Sequence, residues 1–195
     1  MTPVRADQDE KARAAAILTS SFGLIDPTAT PERTGSAAPR LPELAGARGV
    51  LLDNTKGNAG PLLRHVGNLL EERYGVRPFE MARKLVYSRP ADPSLLDDLA
   101  RRYEFVVIGV GACGSCTSGV VRDAVALEVR GVPTVTIHTS VFMNSAIAHA
   151  KAFGRPDLRF VEVEHPIAAI SDEELGQRAA KIVDSAAAAL VGEAA

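Results

Sequence analysis

The chain has 195 residues, 46% of them apolar, a net charge of −2 and only two cysteines. That length fits one domain, or one domain with an extension, with enough apolar residues for a sizeable core. The charge excludes the basic footprint of a nucleic-acid binder or a polybasic membrane patch, and two cysteines are too few for the disulfide framework of a small secreted domain. Residues 1–11 are polar and mixed in sign, residues 14–18 are too short for a signal core, and no window reaches transmembrane length. A cytoplasmic protein with neither nucleic-acid nor membrane partners is expected.

Composition changes near residue 47. Residues 1–47 hold Pro27, Pro31, Pro39 and Pro42 and little periodicity, which predicts an irregular N-terminal arm with at most a short helix over 7–18. Such an arm is either partly disordered or packed on the core or a second subunit. Ile25-Asp26-Pro27-Thr28 and Leu41-Pro42-Glu43-Leu44 are its candidate anchors.

Residues 48–195 are regular. Val50-Leu51-Leu52 reads as a strand. Pro61 suits a first helical position, Leu62, Val66, Leu69 and Leu70 recur at helical spacing, and Gly75 is a stop. Residues 79–87 read as a strand ending in Lys84-Leu85-Val86-Tyr87. Asp92-Pro93 caps a short helix with Leu95, Leu96 and Leu99 on its apolar face. The strand Phe105-Val106-Val107-Ile108-Gly109-Val110 then leads into both cysteines, Cys113-Gly114-Ser115-Cys116, and a helix marked by Val120, Ala124 and Leu127. Pro133 to Ile137 is a strand, and Ser140 is a candidate cap for a helix reaching about Phe153. Phe160 to Val163 is a fifth strand. Ser171-Asp172-Glu173-Glu174 is a capping box for a last helix through Leu175, Ala179, Ile182, Ala186 and Leu190.

Strands alternating with helices predict an α/β three-layer sandwich with a five-stranded parallel sheet in the flavodoxin-like order 2-1-3-4-5. The thioredoxin fold does not suit, because there the CxxC follows an early strand. In the predicted order, strands one and three are neighbours and their following loops open a crevice. One loop runs from Asp53 to Gly60 and the other carries the cysteines.

That crevice defines the candidate site. A thiol at a helix N-terminus is favoured as its anion by the unpaired N–H groups and the helix dipole. Cys113 is the expected nucleophile and Cys116 the second thiol, with Ser115, Lys56 and His138 as catalytic partners. Asp53, Asn54, Thr55, Asn58, Gly114, Thr117, Ser118 and Thr139 are candidate substrate contacts. Lys56 beside Cys113 would lower its pKa and could hold an anionic substrate. Plainer readings stand beside these: Asp53 and Asn54 as residues that only hold their own turn, Lys56 as a solvated side chain, and His138 as a satisfied strand-end histidine. His65, His149 and His165 read as structural or loop residues.

Gly111-Ala112-Cys113-Gly114-Ser115-Cys116-Thr117-Ser118 resembles the signature of the UGSC family, named for selenocysteine-Gly-Ser-Cys. Asp26-Pro27-Thr28, Leu51 to Lys56, Ser88-Arg89-Pro90-Ala91-Asp92-Pro93, Asp123 to Glu128 and Gly131-Val132-Pro133 extend the likeness over nearly the whole chain. A more distant similarity is to the selenocysteine-containing subunits of glycine and proline reductases. The resemblance implies that Cys113 stands where some members carry selenocysteine, hence a nucleophilic or redox role, and that Cys116 is the resolving thiol. Cysteine in place of selenocysteine departs from those members.

The expected function is a CxxC oxidoreductase acting on a small molecule, its only redox group a reversible Cys113–Cys116 disulfide, reopened by a thiol reductant or partner enzyme. Alternatives are non-redox covalent catalysis by Cys113, in a lyase, transferase or sulfur-transfer reaction, or an accessory subunit. A further alternative is metal or an iron–sulfur cluster shared between two CxxC motifs of a dimer. No metal site is expected within one chain, and a homo-oligomer is the default. Gly109 to Gly114 matches GxGxxG only in form, without the acidic ribose anchor.

Overall fold

The computed structural model describes residues 33–192. The expected helix over 7–18 and the anchor Ile25-Asp26-Pro27-Thr28 lie outside them. A five-stranded parallel sheet has the order β2-β1-β3-β4-β5, as expected, with β1 at Gly49–Asp53, β2 at Glu80–Arg83, β3 at Phe105–Gly111, β4 at Thr134–Thr139 and β5 at Phe160–Val163. The three central strands are buried along their whole length and the two edge strands are not. Burial on both faces explains why β3 is continuously apolar, whereas β4, Thr134 to Thr139, alternates threonine and histidine with valine and isoleucine and is buried all the same.

Alternation along β3 sends side chains to two cores. Val107 joins Leu62, Leu63, Val66 and Val183 on one face, under α1 (Ala59–Tyr74) and α5 (Asp172–Leu190). Val106 and Ile108 join Leu96, Leu99, Val120, Ala124 and Ala146 on the other, under α2 (Pro93–Arg102), α3 (Gly114–Val129) and α4 (Met143–Ala152). Removing apolar side chains such as these from water contributes roughly 1.5–3 kcal/mol each.

Local signals set most boundaries. Asp92 accepts a hydrogen bond from the Ser94 amide at 2.8 Å, and Ser171 from the Glu174 amide at 3.2 Å, so both are N-caps. Gly75 closes α1 at φ 65°, a left-handed conformation natural to glycine. Three boundaries differ from expectation. Helix α1 begins at Ala59, so Pro61 occupies its first turn, where a missing N–H costs nothing. Ser140 opens a short 3₁₀ turn, Ser140–Phe142, without a side-chain cap bond, before α4 starts at Met143. Strand β2 ends at Arg83, because the Lys84 ammonium turns inward to Asp123 while Leu85 is fully exposed.

Residues 33–47 form no regular element. Leu44 is buried in the α1/α5 core, and Leu41 exchanges backbone hydrogen bonds with Leu190 and Gly192. Among the described residues, no helix is long and apolar enough to cross a membrane.

Candidate active site

The loops after β1 and β3 meet at the carboxyl edge of the sheet. Asn54 is fully buried: its amide nitrogen donates to the Val110 carbonyl at 2.9 Å, and its oxygen accepts from the Val110 amide at 2.9 Å. Its backbone amide donates to the Gly109 carbonyl at 2.9 Å. Asn54 thus joins the two loops and has no free amide edge for a substrate. Asp53 is also buried, accepting from the Thr55 amide at 2.7 Å and pairing with Arg83 at 3.2 Å. Thr55 is exposed at φ 63°. Asn58 donates to the carbonyls of Ile167 and Ile170, at 2.9 and 3.3 Å, tying this loop to the one after β5.

Cys113 is the N-cap of α3. Its sulfur accepts from the Cys116 amide at 3.3 Å, and the Cys116 sulfur accepts from the Ala112 amide at 3.3 Å. The two sulfurs are in contact, with Cα atoms 5.4 Å apart, a separation a disulfide spans. Their surroundings are unequal. Cys113 is half-buried beside the exposed Gly114 and Ser115, whereas Cys116 is fully buried. The Ser115 hydroxyl lies 3.7 Å from the Cys113 sulfur.

The other expected residues separate into rim and interior. Lys56 Nζ lies 4.7 Å from the centre of the Tyr87 ring, a cation–π contact, and makes no hydrogen bond or ion pair with Cys113. Ser118 is half-buried on α3. Thr117, Thr139 and His138 are fully buried. The His138 ring sits against Gly111, where an added Cβ would overlap Nδ1 and come within 2.9 Å of the Thr117 hydroxyl. His138 Nε2 lies 3.0 Å from the Thr136 hydroxyl. Its Nδ1 is left without a partner among the described residues. Burial, reinforced by the charge of His149, lowers the His138 pKa to about 3. His138 therefore lies beneath the loop as a neutral ring rather than at its mouth.

Sequence reading missed three groups. Lys84 is buried and contacts Asp123 at 2.5 Å and the Arg89 carbonyl at 2.7 Å, while Asp123 also accepts from the Ala91 amide at 2.7 Å. This pair clamps the 84–91 loop, with Tyr87, onto α3. Burial raises the Asp123 pKa, and Lys84 opposes that rise. Second, Glu128 at the far end of α3 is buried with Arg40 at 2.8 Å and Arg155 at 3.5 Å. Asp123 and Glu128 were visible as acids within an apolar helix, a pattern that signals buried partners. Third, His165 reaches Thr139 at 3.1 Å.

A doubly wound α/β sheet whose crossing-point loop presents a CxxC at a helix N-terminus is a scaffold suited to thiol chemistry. The UGSC family model matches residues 23–192, and the chain belongs to the UGSC family. No curated protein matches the chain. Among solved structures, an FMN-dependent cysteine decarboxylase, SpaF, is similar at TM-score 0.44 and 12% identity, over 71% of this chain and 98% of that one. A diflavin flavoprotein A3 from Nostoc sp. is similar at TM-score 0.38 and 13% identity, over 75% and 91%. A short-chain dehydrogenase/reductase from Veillonella parvula, in complex with NADP, is similar at TM-score 0.37 and 9% identity, over 60% and 69%. At these scores the likenesses carry no functional argument. The likeness to glycine and proline reductase subunits is not confirmed by these comparisons.

Proposed function

We propose that this protein is a thiol-dependent enzyme of the CxxC redox type, with Cys113 as nucleophile and Cys116 as resolving thiol, acting on a small molecule. One observation carries the reading: two sulfurs in contact at the start of α3, one reachable and the other buried. A reachable thiolate can attack a substrate sulfur. Only a neighbouring thiol, shielded from other electrophiles, can then displace the product and close the disulfide. The half-buried Lys56 and the helix N-terminus both favour negative charge at the rim. The reaction needs no further cofactor, and a cellular thiol reductant restores the dithiol.

The test is intact-mass analysis of reduced wild type and Cys116→Ser after exposure to cell extract. The variant is expected to accumulate an adduct on Cys113 that thiol reductants release, while wild type carries the internal disulfide. Sustained turnover by Cys116→Ser without a trapped adduct would replace the redox cycle with simple covalent catalysis by Cys113.

A further inference from the structure

Large apolar side chains left in water are usually scattered singly; here they cluster. Among the described residues, six are exposed, and four of them, Leu85, Val86, Tyr87 and Val141, lie in the loops after β2 and β4. In a parallel sheet these loops share the carboxyl edge with Cys113. The order β2-β1-β3-β4 places them on either side of the cysteine loop, three strand spacings apart, or roughly 15 Å. That span fits one partner's footprint in a standard protein interface, about 800 Å² and so roughly 30 Å across. The other two, Val129 and Ile147, lie at the far end of α3 and midway along α4.

Both flanks are fixed to the site. The Tyr87 carbonyl and the Lys84 ammonium lie 3.0 and 3.2 Å from where a Cβ on Gly119 would sit, and Gly119 is one turn beyond Cys116 on α3. Lys84 turns inward to Asp123 and leaves Leu85 outside at 99% exposure. On the other side, the Thr139 hydroxyl lies 3.4 Å from the Gly111 carbonyl, which sets the 140–142 turn beside the cysteine loop. Between the flanks the motif stands open. Gly114 and Ser115 are exposed, and a Cβ on Gly114 would meet nothing within 4 Å. An open apolar surface around a reachable sulfur has the character of a protein interface rather than of an enclosing pocket.

Charge narrows the partner. Residues 54–58 and 83–91 carry Lys56, Arg83, Lys84 and Arg89 and no acid, and residues 112–118 and 140–143 carry no charge. Arg83 is paired with Asp53 and Lys84 with Asp123, while Lys56 and Arg89 have no ion pair among the described residues. The apolar collar thus has a positive border, which complements an acidic one.

We propose that this collar docks the protein dithiol that reopens the Cys113–Cys116 disulfide, a partner whose reactive thiol sits in apolar surface with an acidic rim. The proposal rests on the disulfide cycle given above. A thiolate of the partner attacks the Cys113 sulfur, the one that is reachable. The Cys113–Cys116 bond breaks, and Cys116 leaves with the electron pair and takes up a proton. The partner's second thiol then attacks the partner's own sulfur in the mixed disulfide and expels Cys113 as a thiolate. The partner gives up two electrons and becomes a disulfide; of its two protons, one ends on Cys116 and one in water.

The test times reopening of the disulfide by two reductants, reduced thioredoxin as a protein dithiol and dithiothreitol as a small one. Leu85→Asp and Val141→Asp place a repelling charge at exposed positions of the collar. Each is expected to lower the ratio of thioredoxin to dithiothreitol rates at least ~10-fold, the loss of one interface anchor. Val129→Asp, the same change at the opposite edge of the sheet, is expected to leave that ratio within ~2-fold, as for an ordinary surface substitution. A smaller fall in both collar variants, or an equal fall in Val129→Asp, overturns the proposal, as does wild type that thioredoxin reopens no faster than dithiothreitol. If wild type is a dimer that Leu85→Asp dissociates, a second copy covers the collar and the proposal is likewise overturned. Oxidised protein with no Cys113–Cys116 disulfide to reopen would instead overturn the redox cycle itself.

Discussion

Asn54 forms two hydrogen bonds with one residue of the neighbouring strand, donating to the Val110 carbonyl and accepting from the Val110 amide, both at 2.9 Å. A side chain thereby stands in for strand backbone where β1 has ended and β3 continues toward the cysteines. Asn54→Ala is expected to leave both Val110 groups buried and unpaired, costing about 2–4 kcal/mol. Urea denaturation measures it, and a loss under 1 kcal/mol, below the usual cost of one unpaired group, would count against this bridge.

His138 ties stability to acid. Its folded pKa, about 3, lies below the ordinary 6.5, so protonation favours the unfolded chain. Its contribution is complete above the unfolded value and is lost as pH falls from about 6.5 toward about 3, to a total of about 5 kcal/mol. The stability difference between wild type and His138→Asn should therefore shrink between neutral and mildly acidic pH. Parallel stability curves for the two proteins would show that this ring is not the acid-sensitive element.

The Lys84–Asp123 pair should be far more sensitive to loss of one partner than of both. Lys84→Met or Asp123→Leu alone strands a buried charge and should cost about 3–5 kcal/mol. The double variant should recover much of that, a coupling read from a double-mutant cycle of denaturation midpoints. Additive losses would indicate that the two side chains act separately.

In the reduced protein, alkylation should single out Cys113. It is half-exposed at a helix N-terminus and accepts the Cys116 amide, whereas Cys116 is fully buried. Cys113 should react at least ~10-fold faster with iodoacetamide, and its rate should titrate below the free-cysteine value of about 8.5. Site-resolved mass spectrometry against pH gives both numbers, and equal labelling of the two thiols would remove the asymmetry on which their roles depend.

The sheet order was legible because β3 is an unbroken apolar run and strands alternate with helix signals along the chain. The meeting of the Asp53–Gly60 loop with the cysteine loop followed from that order alone. What escaped were long-range polar pairings. Lys84 precedes Leu85-Val86-Tyr87 and reads as the end of a strand; only its partner Asp123, 39 residues later, shows that the chain turns there. His138 is the penultimate residue of β4, and its burial depends on Gly111 lacking a side chain on the adjacent strand. His165 sits beside a proline in a loop, and its partner Thr139 lies 26 residues earlier.

The Glu128 carboxylate has a consequence for where this protein begins as a folding unit. It accepts from the Ala38 amide at 2.9 Å, from Arg40 at 2.8 Å, and from the Thr134 amide and hydroxyl at 2.8 and 3.0 Å. A gene trimmed to start at residue 48 would encode every strand and helix described above, yet would delete the first two of these donors. Among the described residues, Arg155, itself wholly buried, would be left as the only cation on a carboxylate inside the protein. The irregular segment thus acts as a buried counter-ion, and homologous replacements or insertions should be better tolerated at residue 35 than at residue 40.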